Sequence, residues 1–294
     1  PLLTGEAGSV NLLKAGNSLT LTSPTGDRTA VADALGAELN LEARNVLLDG
    51  RIVLASGKLV VKSEGDVTLT RNAELDVAGR TLPFNDVKKY SWGGDVALYS
   101  SNGNIRQAAG SRIDLSAVNN QAGNLSAVAL ATGAGVVDLQ GEILGNSSGY
   151  YDAGGTWVPY KAGGVDIRAQ QLGSSGDLNG EFAALNQRLN AGQVFGSRSF
   201  QLKQGNLVIG DGLKAGEVNV SVDNGSLTVV GLIDASGERV GSIRLSGKNG
   251  LTVAGSAVLD AHGQMLRVDS YGKIIDAPNR AMVELNAGDG LLTL

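Results

Sequence analysis

Gly216-Glu217-Val218-Asn219-Val220 is followed by Leu227-Thr228-Val229 and then by Leu232-Ile233-Asp234-Ala235-Ser236-Gly237. The chain then repeats itself, as Ser242-Ile243-Arg244-Leu245, Leu251-Thr252-Val253 and Val258-Leu259-Asp260-Ala261-His262-Gly263. Matching positions lie 25 (Val218 to Ile243), 24 (Leu227 to Leu251) and 26 (Asp234 to Asp260) residues apart, so each unit holds three short strands. Each strand alternates apolar, polar, apolar, which buries one face and leaves the other wet. Strands of three residues cannot sustain a hairpin sheet. They become stable when each pairs with its equivalent one repeat away and the inward Val, Leu and Ile stack into columns. The pattern therefore predicts an all-β fold, a right-handed parallel β-helix of three-stranded coils. About ten coils would stack to roughly 50 Å at ~4.8 Å per coil.

The same triplets run through the N-terminal half, as Val67-Thr68-Leu69, Leu75-Asp76-Val77, Val96-Ala97-Leu98, Ile113-Asp114-Leu115 and Val137-Asp138-Leu139. The 294 residues include 43 glycines and only 5 prolines. That is about twice the usual glycine share, with no collagen period, so the glycines mark many turns. Leucine-rich repeats have a similar length but need an Asn-bearing consensus and a helical return, and neither is present.

Three segments break the period and read as insertions at coil corners within a single domain covering residues 1–294. Residues 80–93 carry Pro83, Phe84, Tyr90 and Trp92. Residues 146–162 carry Tyr150, Tyr151, Trp157, Pro159 and Tyr160. Residues 173–197 place Phe182, Leu185 and Leu189 on one helical face before a stop at Gly192, predicting a short amphipathic helix lying on the solenoid. The first two insertions return through Gly93-Gly94-Asp95-Val96 and Gly163-Gly164-Val165-Asp166, with Gly123-Asn124-Leu125 as an uninterrupted start between them. This phasing puts both at the same corner, two coils or about 10 Å apart, with Trp92 and Tyr90 able to pack against Trp157 and Tyr150.

A net charge of −5 argues against nucleic acid, whose phosphates need a basic surface. It also argues against an anionic membrane. No apolar run reaches the ~18 residues of a membrane span. The absence of cysteine excludes disulfides and thiolate metal sites. The abrupt start at Pro1-Leu2-Leu3-Thr4-Gly5 and the strand pattern running to Leu291-Leu292-Thr293-Leu294 read as a piece cut from a longer protein, with both solenoid ends uncapped and prone to end-to-end association.

Gly65-Asp66-Val67-Thr68-Leu69-Thr70 and Ile233-Asp234-Ala235-Ser236-Gly237 resemble the passenger repeats of filamentous-haemagglutinin-type exoproteins. The stretch from Phe182-Ala183-Ala184-Leu185-Asn186 through Val240-Gly241-Ser242-Ile243-Arg244-Leu245 to Ala277-Pro278-Asn279-Arg280 is similar to a shaft region of that family. The resemblance implies two-partner secretion through an outer-membrane β-barrel transporter, a place on the bacterial cell surface or outside the cell, and a role in adhesion, biofilm formation, virulence or toxin presentation. Host or matrix glycans are the partners it suggests. The Asn-Pro-Asn-Gly motif of the family's secretion domain is missing, since Pro278-Asn279 lacks the preceding Asn. The segment is thus expected downstream of that domain.

No catalytic, cofactor or metal site emerges from the sequence. Lone His262 sits at a corner where the preceding coil has Ser236 and reads as an exposed turn residue. Asp76, Asp114, Asp138, Asp166, Asp234 and Asp260 lie at strand positions where Asp caps backbone N–H groups. Stacked in adjacent coils, Asp234 and Asp260 could alternatively bind a hard cation or act as a glycosidase pair. The calcium-binding Gly-Gly-x-Gly-x-Asp nonapeptide does not occur. Seven of the twelve aromatic residues fall in the first two insertions, a concentration that picks out one surface. They either pack the insertions onto the solenoid or form a contact site for a glycan or protein partner through Tyr90, Trp92, Tyr150, Tyr151, Trp157 and Tyr160. A structural shaft is the expected function. A β-helical polysaccharide lyase or hydrolase, or a glycan-binding module on the insertions, is the alternative. The enzyme needs convergent carboxylates and bases, whereas the outward strand positions are the mixed set Asn219, Thr228, Arg244 and Thr252.

Overall fold

The computed structural model describes residues 7–23 and 34–294. The opening residues 1–5, read above as a cut end, lie outside the described residues. A ten-stranded parallel sheet runs the length of the chain, from Val10–Lys14 to Met282–Asn286. Its members stack in chain order, each pairing with the next coil's strand: Val96 lies opposite Leu125, Val218 opposite Ile243, and Ile243 opposite Val283. Two further sets of short parallel strands complete most of the coils. The second set runs from Ser18–Thr22 to Gln171–Leu172 and again from Leu207–Ile209 to Leu292–Thr293. The third runs from Arg51–Val53 to Glu142–Leu144 and again from Leu213–Lys214 to Val258–Asp260. The architecture is an all-β, solenoid-like stack with a single α-helix among the described residues.

Alternation of apolar and polar residues places the core. In Glu38–Ala43 the residues Leu39, Leu41 and Ala43 point inward, as Leu59 and Val61 do in the next strand and Val96 and Leu98 in the one after. These columns merge into one hydrophobic cluster from Leu19 to Ala261. Full burial of each Leu, Ile or Val contributes about 1.5–3 kcal/mol. Side chains also stitch the stack along its axis. Asn45 Oδ1 accepts from the backbone N–H of Asp66 at 3.0 Å, an Asp66 oxygen accepts from Asn104 N at 2.8 Å, and Asn104 Oδ1 accepts from Val136 N at 3.0 Å. Such a ladder satisfies corner N–H groups that have no strand partner.

The repeat length is less regular than the 24–26 residues read from the sequence. The shortest coils, from Glu38 to Lys58 and from Ser197 to Glu217, take 20 residues. The longest, from Asn124 to Gly164 and from Ser242 to Met282, take 40. The extra residues are corner insertions. The first is an antiparallel hairpin, Thr81–Phe84 with Val87–Tyr90, and the second is another, Tyr150–Asp152 with Trp157–Pro159.

The helix spans Leu178–Ala191. The carboxylate of Asp177 accepts from Gly180 N and caps its start, and Gly192 ends it. The expected face of Phe182, Leu185 and Leu189 is buried. The expected position is corrected, however. The helix does not lie on the solenoid but takes a place in its wall, touching Glu142–Leu144 on one side and Leu213–Lys214 on the other, where the third set of strands is interrupted. Its Phe182 meets Phe200 of the long sheet edge-to-face, with ring centroids 4.9 Å apart. Only the ten-stranded sheet passes this point unbroken.

Arg198 lies inside this junction. The register sets it opposite Val165 and Val218, at an inward position of the apolar column, and it is 0% exposed. The helix end makes the position tolerable. The guanidinium donates to Asn186 Oδ1 at 2.9 Å, Asn190 Oδ1 at 2.7 Å and the Val194 carbonyl at 3.1 Å, and sits 5.8 Å from the Phe195 ring. These partners are all neutral; the carbonyl-rich C-terminal end of a helix supplies the compensating negative potential. Burial pulls the guanidinium down to about 9, so it remains protonated at neutral pH.

Candidate functional site

The stacked aspartates are the first place to look for chemistry. Asp234 and Asp260 are register partners in adjacent coils. Each is already engaged. Asp234 Oδ1 accepts from the Ser236 backbone N–H at 3.0 Å and hydroxyl at 2.6 Å, while its other oxygen meets Lys214 Nζ at 3.0 Å. Asp260 Oδ1 accepts from His262 N at 3.1 Å and faces His262 Nδ1 at 2.6 Å. His262 thus does for Asp260 what Ser236 does for Asp234. Asp76 and Asp114 repeat the arrangement with Ala78 N and Ser116 N. The capping role expected from the sequence is the one seen at these four positions. Among the described residues no three acidic or histidine side chains are placed to hold a metal ion.

Two of these carboxyls carry a pH consequence. Burial raises the Asp234 carboxyl, but the hydrogen bonds from Ser236 and Lys214 outweigh it and the group lies below its ordinary value of 3.8. The His262 hydrogen bonds likewise hold Asp260 low. A depressed carboxyl stabilises the fold fully above its unfolded value and loses that contribution as pH falls through the folded one. Amide protection factors, which are corrected for the intrinsic slowing of exchange in acid, are therefore expected to fall in the strands Leu232–Asp234 and Val258–Asp260 on acidification below about pH 4, the ordinary carboxylate range. Asp234→Asn should flatten that profile for the first of them.

The corner between the third and first strands collects the insertions. Gly93 N donates to the Gln121 carbonyl and Ala122 N to the Lys161 carbonyl, so the first hairpin, the loop near 116–122 and the second hairpin leave from successive levels of one edge. The loop joins both: Asn120 Nδ2 donates to the Tyr90 carbonyl at 2.8 Å, and Asn119 N donates to Ser148 Oγ at 3.0 Å. The shared corner expected from the Gly-Gly steps is present.

Ring-to-ring packing between the two hairpins is not seen among the described residues. Tyr151 and Tyr160 pair within the second hairpin at 5.4 Å. Among the described residues no ring contact joins Trp92 or Tyr90 to Trp157 or Tyr150. Trp92 stands at the foot of the first hairpin, 49% exposed, while its carbonyl accepts from Ser56 Oγ at 2.6 Å. Tyr90 is half-buried beside it. Trp157 is 66% exposed and Tyr150 half-exposed. The second hairpin leans the other way, toward later coils. Tyr150 Oη donates to Glu238 at 2.9 Å, Thr156 Oγ1 donates to the Val268 carbonyl at 3.1 Å and accepts from Val268 N at 2.8 Å.

Its partner is a fourth insertion, near 261–281, which the sequence reading passes over. Residues 268 and 274 form an antiparallel bridge there, and Ala277–Asn279 a short 3-10 turn. The Asn279 amide closes the loop, accepting from Arg267 N at 2.8 Å and donating to the Arg267 and Ile275 carbonyls. The 40-residue spacing between Ser242-Ile243-Arg244-Leu245 and Met282-Val283-Glu284-Leu285 is the sequence signal that would have found it.

The second hairpin thus straps three to four coils of one edge together. Thr156→Val removes both bonds to Val268 and strands that backbone pair, a loss of about 1–2 kcal/mol in the local opening of the 261–281 loop. Hydrogen exchange at Val268 would report it. The Glu238 hydrogen bond and charge raise the Tyr150 phenol above 10. A raised acid stabilises below its unfolded value, so this bond is expected to loosen only in strongly alkaline solution.

Beneath the strap the hairpin's return, the segment after the helix and two later corners enclose a cleft of about 180 Å³. Tyr160, Phe195, Pro159 and Val240 give it apolar walls, and Lys161, Glu217 and Arg239 its charged rim. No protein family model, curated protein or solved structure matches the chain. No helix among the described residues is long and apolar enough to cross a membrane.

Proposed function

We propose that the chain is a right-handed parallel β-helix serving as the shaft of a large secreted bacterial surface protein, with a structural rather than catalytic role. The observation that carries this reading is the ten-stranded parallel sheet that continues in register past every insertion and past the helix. Such a stack transmits load along its axis, because each coil is tied to the next by parallel ladder bonds and by side-chain ladders. The outward positions of that sheet's later strands are mixed, with Ser199, Asn219, Ser221 and Ser246 beside Gln201, Glu217 and an Arg244–Glu284 ion pair. Of the carboxylates a lyase or hydrolase would draw on, Asp76, Asp114, Asp234 and Asp260 are spent as corner caps, and Asp138 and Asp166 are engaged by the side chains of Gln140, Ser174 and Arg168. The sequence resemblance to filamentous-haemagglutinin-type shafts adds the route, secretion through an outer-membrane β-barrel transporter, and the setting, adhesion, biofilm formation or toxin presentation at the cell surface.

Electron microscopy of the full-length protein, labelled at a cysteine introduced at exposed Tyr271, tests it. The label is expected on the side of a continuous thin rod. A label on a separate globular head overturns the shaft reading, as does polysaccharide turnover that disappears in Asp234→Asn or Asp260→Asn.

A further inference from the structure

We propose that Asn224-Gly225 is a self-modification site, where the chain deamidates through a cyclic imide and loosens the corner that this pair occupies. Four Asn-Gly pairs occur in the sequence, at 102–103, 179–180, 224–225 and 249–250. In each, an asparagine amide precedes a residue with no Cβ to shield its N–H, so the glycine nitrogen can close a ring on the asparagine Cγ. The reaction needs that nitrogen free of other partners and the side-chain amide free to swing toward it.

The fold withholds one or both at three of the pairs. Gly103 N donates to Ser100 Oγ at 2.9 Å, and the Asn102 amide donates to Ser101 Oγ at 3.3 Å. Gly180 N donates to the Asp177 carboxylate at 3.1 Å, and Asn179 Oδ1 accepts from Val208 N at 2.8 Å. Gly250 N donates to the Gly247 carbonyl at 3.1 Å. At the fourth pair neither group is held. Gly225 is buried, yet its N–H makes no hydrogen bond among the described residues. Asn224 is exposed, and its side chain makes none either. A buried backbone N–H without a partner is rare, and this one adjoins an amide that can react with it.

The chemistry requires only water. Gly225 N gives up its proton and bonds to Asn224 Cγ, and the side-chain nitrogen leaves as ammonia. Water then opens the imide. Opening at Cγ leaves aspartate, and opening at the main-chain carbonyl leaves isoaspartate, whose main chain runs through Cγ. The corner has no room for that product. A Cβ on Gly225 would already stand 1.8 Å from the Gly205 carbonyl oxygen of the preceding coil. The Asn224 carbonyl accepts from Gly205 N at 3.3 Å and the Gly225 carbonyl from Asn249 N at 2.9 Å, so the pair ties its coil to both neighbours. Isoaspartate lengthens the main chain by one methylene and turns the Asn224 carbonyl into a carboxylate. The new charge falls beside Asp223, which already engages Lys203 and Gln201.

Peptide mass mapping of the intact chain, aged in warm and mildly alkaline buffer, tests the site. Conversion at each pair is divided by its rate in urea, which removes the influence of flanking sequence. Asn224 is expected to keep at least about five times more of its unfolded rate than Asn102, Asn179 or Asn249, the factor that one net hydrogen bond represents. An isoaspartate-specific methyltransferase should label position 224 first. Hydrogen exchange at the Gly205 and Asn249 amides should quicken severalfold in the aged chain. It should not do so in an aged Asn224→Gln chain, whose longer side chain closes the ring far more slowly. Conversion of any other pair as fast as Asn224 overturns the proposal, and so does equal exchange in the aged parent and the aged Asn224→Gln chain.

Discussion

Replacing Arg198 with methionine is expected to destabilise the middle coils by about 2–3 kcal/mol, although it puts an apolar side chain into an apolar column. Burial of the methionine and relief from holding a cation out of water favour the variant, the former by roughly 1.5–3 kcal/mol. Against this, the variant leaves Asn186 Oδ1, Asn190 Oδ1 and the Val194 carbonyl without their donor, with Asn186 itself 2% exposed. Each orphaned buried acceptor costs about 1–3 kcal/mol, so the loss outweighs the gain. Urea titration monitored by hydrogen exchange over the helix Leu178–Ala191 and the strand Ser197–Leu202 reads the effect. Adding Asn186→Leu should recover part of it, because the pair then leaves fewer orphans. An Arg198→Met chain as stable as the parent would show that the guanidinium does not hold the helix in the wall.

Gly123→Ala is the second large effect. Gly57, Gly94 and Gly123 stack at the corner where third strands turn into the long sheet, and a Cβ on Gly123 would stand 1.8 Å from the Gly94 carbonyl oxygen. The obstacle is backbone in the neighbouring coil, itself tied to the ladder, so it cannot swing aside as a flexible side chain would. The substitution is expected to cost about 3 kcal/mol or more, at the upper end of overpacking. Gly133→Ala is the comparison, since that glycine faces open space and its only penalty is a φ of +80°. A smaller loss, of roughly 1–2 kcal/mol, is expected there. If the two variants melt together, the corner is looser than the stacked geometry implies.

The fold was legible where burial alone decides the residue. The alternating triplets placed Val218 over Ile243, Leu227 over Leu251 and Asp234 over Asp260, and these are the observed register partners. The helical face of Phe182, Leu185 and Leu189 was equally plain, since a 3.6-residue period does not depend on neighbours. What stayed hidden depends on partners remote in sequence. Arg198-Ser199-Phe200 reads as a polar start to a strand, and only the helix end folded against it turns the arginine inward. Aligning Phe200 and Leu202 with Val220 and Val222 would have exposed the anomaly. The aromatic insertions illustrate the same limit. Their common corner followed from the Gly-Gly steps, but the direction of the second hairpin was set by Glu238 and Val268, 88 and 112 residues away. Of the six aromatic candidates, Tyr160 lines the cleft, Tyr151 supports it, Tyr150 anchors the strap, and Trp157, Trp92 and Tyr90 lie outside it.

The account stands on one continuous coil carried by the long sheet. A crystal structure of the chain tests that most directly. It should show ten right-handed coils with Val165, Arg198, Val218 and Ile243 stacked in one inward column and Tyr150 bonded to Glu238 across the corner. Left-handed coiling, or a long sheet broken at Leu178–Ala191 into two independently packed halves, would contradict it.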